Sequence, residues 1–421
     1  MEPYDIVVIG GGPAGMAAAV EAKKCGVDNL LIIERDRYLG GTLQQCIHNG
    51  FGLHKFKEDL TGPQFAERYI EMVHEMGIPY KLDTMVLNIN SDREIAYVNS
   101  KDGLRVIKAN AIILAMGCRE KTRGAVGIAG SRPAGVLTAG AAQRYINIDG
   151  YMVGKKIMML GTGDIGLIMA RRLKLEGAEV IAVLARKPYP GGLMRNVVQC
   201  LHDYGIPLML RHTVTRILGK QRLTGVLVAE TDENSMPIPG TEKLYECDTL
   251  LLSVGLIPEN ELSLSAGIGL DRRTGGAFVD DLRETDVEGV FACGNVVHVH
   301  DLVDFVVEES GYTAKGAAGF VKRKSSRKGK VCATSPGEGI RYVVPQRINL
   351  DSDEKRVDLF FRVSRVFEQS RIVLKDGERV IREIKKRQMS PGEMERVGVD
   401  RSMIEGMGRT DLTVEAVGED R

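Results

Sequence analysis

"YDIVVIGGGPAG", residues 4 to 15, decides the fold. An apolar run, Tyr4 to Ile9, ends in three glycines and passes straight into a small-residue segment beginning near Pro13. That is the strand, turn and helix context in which G-x-G-x-x-G binds a dinucleotide. Gly10 serves the tight turn, Gly12 lets the backbone approach a pyrophosphate, and Gly15 lets the helix lie close on the strand. Phosphates placed there meet the positive end of the helix dipole and the unpaired N–H groups of its first turn. A second apolar run, Leu30 to Ile33, closes on Glu34. Its carboxylate can accept hydrogen bonds from both hydroxyls of an adenosine ribose and repels a 2'-phosphate, which suits FAD or NAD.

The same construction recurs about 150 residues later. Lys156 to Leu160 leads into GTGDIG, Gly161 to Gly166, then a helix through Glu176 and a strand from Val180 to Leu184. One such motif is a weak signal; two in the right context predict a pair of Rossmann-like domains. The copies differ where the ribose is read. In place of Glu34 the second has Ala185, Arg186 and Lys187, so NADP stays open beside NAD at that site. "AIILAMG" (111 to 117) and "LLLSVG" (250 to 255) are apolar strands ending in glycine, where each nucleotide domain hands the chain on. In "TDVEGVFACGNVVHVHD" (285 to 301) a strand from Val290 to Cys293 ends in Gly294-Asn295 ahead of a helix. Such a turn brings backbone N–H groups to a flavin's ribityl chain and pyrophosphate.

Length and composition bound the rest. A chain of 421 residues predicts two or three domains. With 57 basic against 56 acidic residues, nothing favours nucleic acid or an anionic membrane as partner. No apolar run approaches the roughly 20 residues that span a bilayer. The N-terminus lacks a basic region and a cleavage site, so the reading is cytoplasmic. Seven cysteines are scattered singly without a C-x-x-C, which predicts neither a disulfide framework nor a zinc or iron-sulfur cluster, and no metal site. His298-x-His300-Asp301 offers alternating ligands, but hydrogen-bonding or packing histidines are the stronger readings.

GGGPAG with Glu34, AMG at 115 to 117, GTGDIG, SVG at 253 to 255 and GVFACGN at 289 to 295 together resemble the FAD and NAD(P)-dependent pyridine nucleotide-disulfide oxidoreductase superfamily over residues 1 to about 325. Within it, "QQCIHNGFGLHKFKEDLTGPQF" (44 to 65) and "ACGNVVHVHDLVD" (292 to 304) look most like the flavoprotein subunits of multisubunit dehydrogenases, especially those of glycerol 3-phosphate metabolism, with opine, sarcosine and proline dehydrogenase subunits among the relatives. The resemblance implies an α/β fold: two Rossmann-like dinucleotide-binding domains of the three-layer ββα type, then a small β-rich C-terminal domain. It divides the chain into a discontinuous FAD domain (1–120 plus 250–325), an NAD(P) domain (121–249) and a C-terminal domain (331–421). It places Gly10, Gly12, Pro13, Ala14, Gly15, Glu34, Gly41, Thr42, Ala115, Gly117, Gly294 and Asn295 around FAD. Gly161, Gly163, Asp164, Ile165, Gly166, Arg186 and Gly255 go to the nicotinamide nucleotide. Many family members have aspartate at the position of Asn295, so this chain lacks a charge there.

"GGTLQQCIHNGFG", residues 40 to 52, departs from the disulfide reductases it resembles. Counted from Gly40 and Gly41, Leu43 and His48 stand where the two redox thiols would lie, with Cys46 alone between them. Cys46 and His48 are the candidate catalytic residues of a flavin-facing loop. The thiol is open to three readings: a small inert residue, a modulator of the flavin, or a peroxidatic group. Hydride exchange between nicotinamide and flavin is the chemistry that remains. Electrons then leave through a partner dehydrogenase subunit; an iron-sulfur or Cys-rich subunit is a further candidate. The alternatives are a stand-alone NAD(P)H oxidase and a nucleotide-bound scaffold subunit.

"KRKSSRKGK" (322 to 330) reads as a solvated boundary. Beyond it Val357, Leu359, Phe361 and Val363 alternate with polar neighbours, and Lys375-Asp376-Gly377-Glu378 reads as a hairpin turn. The resulting β domain is expected to dock a subunit, or to act as a structural cap.

Overall fold

Four consecutive buried residues, Ile6 to Ile9, set the layering of the first sheet. A strand buried on both faces is the signature of a covered parallel sheet. Tyr4–Ile9 pairs in parallel with Leu30–Ile33 and with Gly103–Leu114, which takes Val290–Ala292 in parallel on its other side. Ile6 and Val8 meet the helices Pro13–Lys24 and Val303–Arg323. Val7 and Ile9 face the antiparallel strands Met85–Ile89 and Glu94–Asn99. Helices, parallel sheet and antiparallel layer are the three layers expected.

The computed structural model describes residues 3–326, 329–352, 354–405 and 411–418. Met1 and Glu2 of the N-terminal reading and Arg327 and Lys328 of the basic run lie outside the described residues. Two compact units result: Met1–Cys118 with Pro258–Arg421, and Arg119–Ile257.

The second unit repeats the plan. Its parallel sheet runs Val136–Thr138, Thr249–Leu252, Lys156–Leu160, Glu179–Ala185, Leu208–Leu210. Ile157 and Met159 pack with the helix Asp164–Leu175, whereas Met158 and Leu160 face the antiparallel strands His212–Gly219 and Leu223–Glu230. Strands and helices of both glycine motifs fall within a residue or two of their expected bounds, because apolar runs bounded by glycine leave little freedom.

The C-terminal strands have a core of their own, in which Val357, Leu359, Phe361 and Val363 all take part. Gly377, with φ +59°, turns Phe367–Asp376 into Arg379–Met389, as the hairpin reading requires. The expected alternation differs in one respect. In the strand Arg356–Val363 the intervening Asp358 and Phe360 are buried as well. The second face of this strand lies against the first unit's long helix and the segment before it: Tyr312 donates to Asp358 at 3.0 Å, and Arg362 pairs with Asp301. Tyr342 and Val344 enter the same core as Val7 and Ile9. This region therefore counts with the first unit, and the face expected to be polar is spent on contacts within the chain.

Candidate functional site

The first glycine turn is built by close approach. Gly10 has φ +107°, and a Cβ on it would meet the Ala115 carbonyl oxygen at 2.4 Å. A Cβ on Gly15 would lie 1.8 Å from the Gly10 oxygen. At Gly12 the surroundings are open, the nearest heavy atom being Gly41 Cα at 3.9 Å. The helix then begins at Pro13 with no side-chain cap. Proline at the first position has no N–H to satisfy, and the remaining N–H groups of the turn suit an anion. A turn that is tight at Gly10 and Gly15 and empty at Gly12 has the form a pyrophosphate needs.

Glu34 is 7% exposed and fixed at both oxygens. Gly11 N donates to one at 2.6 Å and Asp36 N to the other at 2.7 Å. Each carboxylate oxygen keeps further acceptor capacity for a ribose hydroxyl. Gly40-Gly41 lies alongside: Gly40 N donates to Gly11 O at 2.9 Å. Opposite, a Cβ on Gly294 would come within 2.9 Å of the Ala14 Cβ. Asn295 Oδ1 accepts from His300 N at 3.0 Å while its Nδ2 lies 3.5 Å from Cys118 Sγ, next to Gly117. Gly10, Gly12, Pro13, Ala14, Gly15, Glu34, Gly41, Ala115, Gly117, Gly294 and Asn295 thus share one region of the first unit; Thr42 opens the short helix beside it.

That short helix, Gly41–Gln45, ends at Cys46, whose Sγ donates to Thr42 O at 3.3 Å. Leu43 is buried in the main core, so one of the positions where a redox thiol would stand is a packing position. His48 is half-buried with its ring centroid 5.1 Å from that of Phe51. Asp304, in the first turn of the helix Val303–Arg323, accepts from Gly52 N at 3.2 Å, His54 N at 3.1 Å and Lys55 N at 2.7 Å. Three backbone donors on one carboxylate anchor the loop that carries Cys46 and His48. Burial pushes the thiols of Cys247 and Cys293 up to about 12 and that of Cys332 to about 11, so these three are unreactive at neutral pH.

In the second unit Gly161 has φ +101°, and a Cβ there would strike the Ser253 carbonyl oxygen at 2.0 Å. The helix again starts without a side chain on its N-cap, but two side chains enter the turn. Ser253 Oγ accepts from Gly166 N at 3.2 Å, and Thr162 Oγ1 accepts from Gly191 N at 2.8 Å. Asp164 Oδ1 accepts from Leu193 N at 2.9 Å and Asn196 Nδ2 at 2.6 Å. Asp164 therefore straps the 190–196 segment across the glycine turn, and Ile165 packs into the core. Arg186 donates through Nη2 to the Ser235 carbonyl at 2.6 Å. Gly255, also in this unit, has φ +109°.

Sequence reasoning named His298 and His300 as hydrogen-bonding or packing histidines but missed Glu309 and Arg283, with which they form a buried cluster. His298 and His300 turn their Nε2 atoms to Glu309, at 3.4 and 2.6 Å, while Asp301 faces away to Arg362 and Met394 N. The ligand atoms of His298, His300 and Glu309 lie within 4.8 Å of one another, close enough to hold a cation. Arg283 Nε donates to Glu309 Oε1 at 2.6 Å and already brings the positive charge a metal would bring. The signal was present in the sequence: Glu309 lies on the helix stripe of Val306, Thr313, Gly316 and Phe320, a carboxylate in a buried row.

Known proteins share this fold. The chain belongs to the pyridine nucleotide-disulphide oxidoreductase family, which matches residues 4–317. Members of that family bind FAD and a nicotinamide nucleotide. An opine oxidase subunit of Agrobacterium tumefaciens (strain Ach5) is 25% identical over 310 residues, 69% of this chain and 61% of that protein. Hydrogen cyanide synthase subunit HcnB of Pseudomonas protegens is 26% identical over 282 residues, 62% of this chain and 58% of its own length. The chain thus spans about three fifths of these curated relatives. The crystal structure of T. acidophilum thioredoxin reductase superposes with a TM-score of 0.62 at 23% identity, covering 76% of this chain and 99% of that one. Among the described residues no helix is long and apolar enough to cross a membrane.

Proposed function

We propose that this chain is the electron-transfer flavoprotein subunit of a dehydrogenase complex of the glycerol-3-phosphate type, exchanging a hydride between NAD(H) and FAD without a redox-active cysteine pair. The observation that carries the reading is the first glycine turn: an uncapped helix start, an opening at Gly12 and a carboxylate, Glu34, held by Gly11 N at 2.6 Å. Bound flavin supplies a two-electron acceptor. Gly12, Ala14 and Gly15 would hold its pyrophosphate, Glu34 the adenosine ribose, and Gly294-Asn295 the ribityl side. The loop of Cys46 and His48, tied down by Asp304, would shield the ring from water. The second unit would take the nicotinamide nucleotide on Gly161 to Gly166. Arg186, held by the Ser235 carbonyl, is committed elsewhere, which favours NAD over NADP.

Two observations support a complex. The chain has no C-x-x-C to receive electrons, and two of its relatives are named as subunits. Co-purification from the native source, followed by mass analysis, tests this: a stoichiometric second dehydrogenase chain supports the reading. Rapid peroxide formation by the isolated chain, with no companion, would replace it with a free-standing NAD(P)H oxidase.

A further inference from the structure

We propose that Glu309 is a positioning residue for the flavin, fixing the Gly294-Asn295 turn from beneath. The inference rests on the reading that this turn faces FAD.

Glu309 is fully buried, and both of its oxygens are engaged. Oε2 accepts from Gly294 N at 3.1 Å and from His300 Nε2 at 2.6 Å. Oε1 accepts from Arg283 Nε at 2.6 Å and from His298 Nε2 at 3.4 Å. The Gly294 N–H is therefore spent inward on the carboxylate, which leaves the outer side of the turn to Asn295. His300 reinforces this from the next residues, since its own N–H holds Asn295 Oδ1 at 3.0 Å. One carboxylate thus sets both residues of the turn, and Gly294 in turn abuts Ala14 of the first glycine motif.

The charge is stable. Burial alone would raise the Glu309 carboxyl, but Arg283 and the two histidines hold it well below the usual range. Burial pushes His298 down to about 4, so its ring is neutral and serves as an N–H donor. A lone buried carboxylate would be costly, and the pairing with Arg283 makes it tolerable.

The lid of this cluster comes from the C-terminal region. Phe360 places its ring centroid 5.6 Å from those of both His298 and His300, and 5.9 Å from the Arg283 guanidinium carbon. Arg396 bridges Glu308 on the same helix, at 2.6 Å, to Asp358 at 2.6 Å. The C-terminal region thereby covers the apolar side of the cluster.

The experiment compares Glu309→Gln and Glu309→Asp with Phe360→Leu, a packing control that does not touch Gly294. Each full-length protein is loaded with FAD, and three quantities are read: the FAD dissociation constant, the visible flavin spectrum and the midpoint potential. Glu309→Gln leaves the Arg283 charge uncompensated and favours the reduced, more negative flavin. The expected result is about a tenfold weaker FAD complex and about a tenfold shift in the reduced-to-oxidised ratio, some 30 mV upward for a two-electron couple. Glu309→Asp keeps the charge but shortens the reach to Gly294, so affinity falls with a smaller change in potential; it also serves if the glutamine variant does not fold. Phe360→Leu lowers thermal stability and leaves spectrum and potential in place. Wild-type affinity, spectrum and potential in both Glu309 variants overturn the proposal, as does an equal potential shift in Phe360→Leu. A wild-type protein that takes up no FAD at all would instead overturn the functional reading beneath it.

Discussion

The two glycine turns of this chain have the same backbone plan and different surroundings. In the first, residues 10 to 15, no side chain caps the helix and Gly12 opens on space. In the second, residues 161 to 166, Ser253, Thr162 and Asp164 all reach into or across the turn. Of the first turn's N–H groups Glu34 takes only that of Gly11, and no side chain caps the helix start, an arrangement that suits a permanently held cofactor because the helix N–H groups stay open. A nucleotide that must come and go is compatible with a turn whose donors are partly satisfied by the protein between visits. The contrast teaches that a motif predicts the backbone, while its neighbours decide how tightly the site holds.

The largest effect should come from Gly15→Ala, since the new Cβ would sit 1.8 Å from the Gly10 oxygen. A loss of about 3 kcal/mol or more in stability is expected, with flavin absent from whatever folds, as read by thermal melting and absorbance. Gly166→Ala should cost less, because its nearest contact is the Ser253 side chain, at 2.6 Å, instead of backbone. Equal losses at the two sites would erase the comparison.

Gly12→Ala separates binding from folding. The methyl group meets only Gly41 Cα, at 3.9 Å, so the apoprotein should melt within about 0.5 kcal/mol of wild type. FAD affinity, measured by equilibrium titration, should drop about a hundredfold because the methyl occupies the phosphate's place. An unchanged affinity would mean that the opening at Gly12 is not the cofactor site.

A pH scan sharpens the picture of the first unit. His298 titrates near 4 when folded and near 6.5 when unfolded, so below 6.5 the unfolded chain binds the extra proton and stability is lost as pH falls towards 4. Relative to His298→Gln, wild type should lose about 1 to 3 kcal/mol across that window in denaturant titrations. Parallel curves for the two proteins would contradict a buried neutral imidazole.

Smaller effects belong to the second turn. Asp164→Asn weakens the strap to Leu193 and removes a negative charge from the helix start, so KM for NADH should change about three- to fivefold with flavin content unaltered. Arg186→Gln should move KM for NADH less than twofold in steady-state assays; a larger change specific to NADPH would show that the guanidinium leaves Ser235 to read a 2'-phosphate.

Both nucleotide folds are legible in short windows of sequence, for a physical reason. The apolar runs Tyr4–Ile9 and Lys156–Leu160 are local signals, and glycine at tight turns is nearly obligatory. The Glu309 cluster is not legible in this way. Its members come from residues 283, 298, 300 and 309 and their lid from residue 360, and only the fold shows that a carboxylate in a helical stripe finds an arginine 26 residues earlier in the chain. Phe360 and Asp358 depart from the expected alternation for the same reason, since a strand's second face is polar or buried according to a neighbour distant in sequence. Asp164 reads as a phosphate-side residue from its motif alone; its bonds to Leu193 and Asn196 are a strap role that the motif does not reveal.

Anaerobic titration of the purified, FAD-loaded chain with NADH tests the central claim most directly. Hydride exchange between the two nucleotides predicts that the visible flavin band bleaches stoichiometrically and returns when an electron acceptor is admitted. A band that stays fully oxidised under excess NADH and excess NADPH would contradict it.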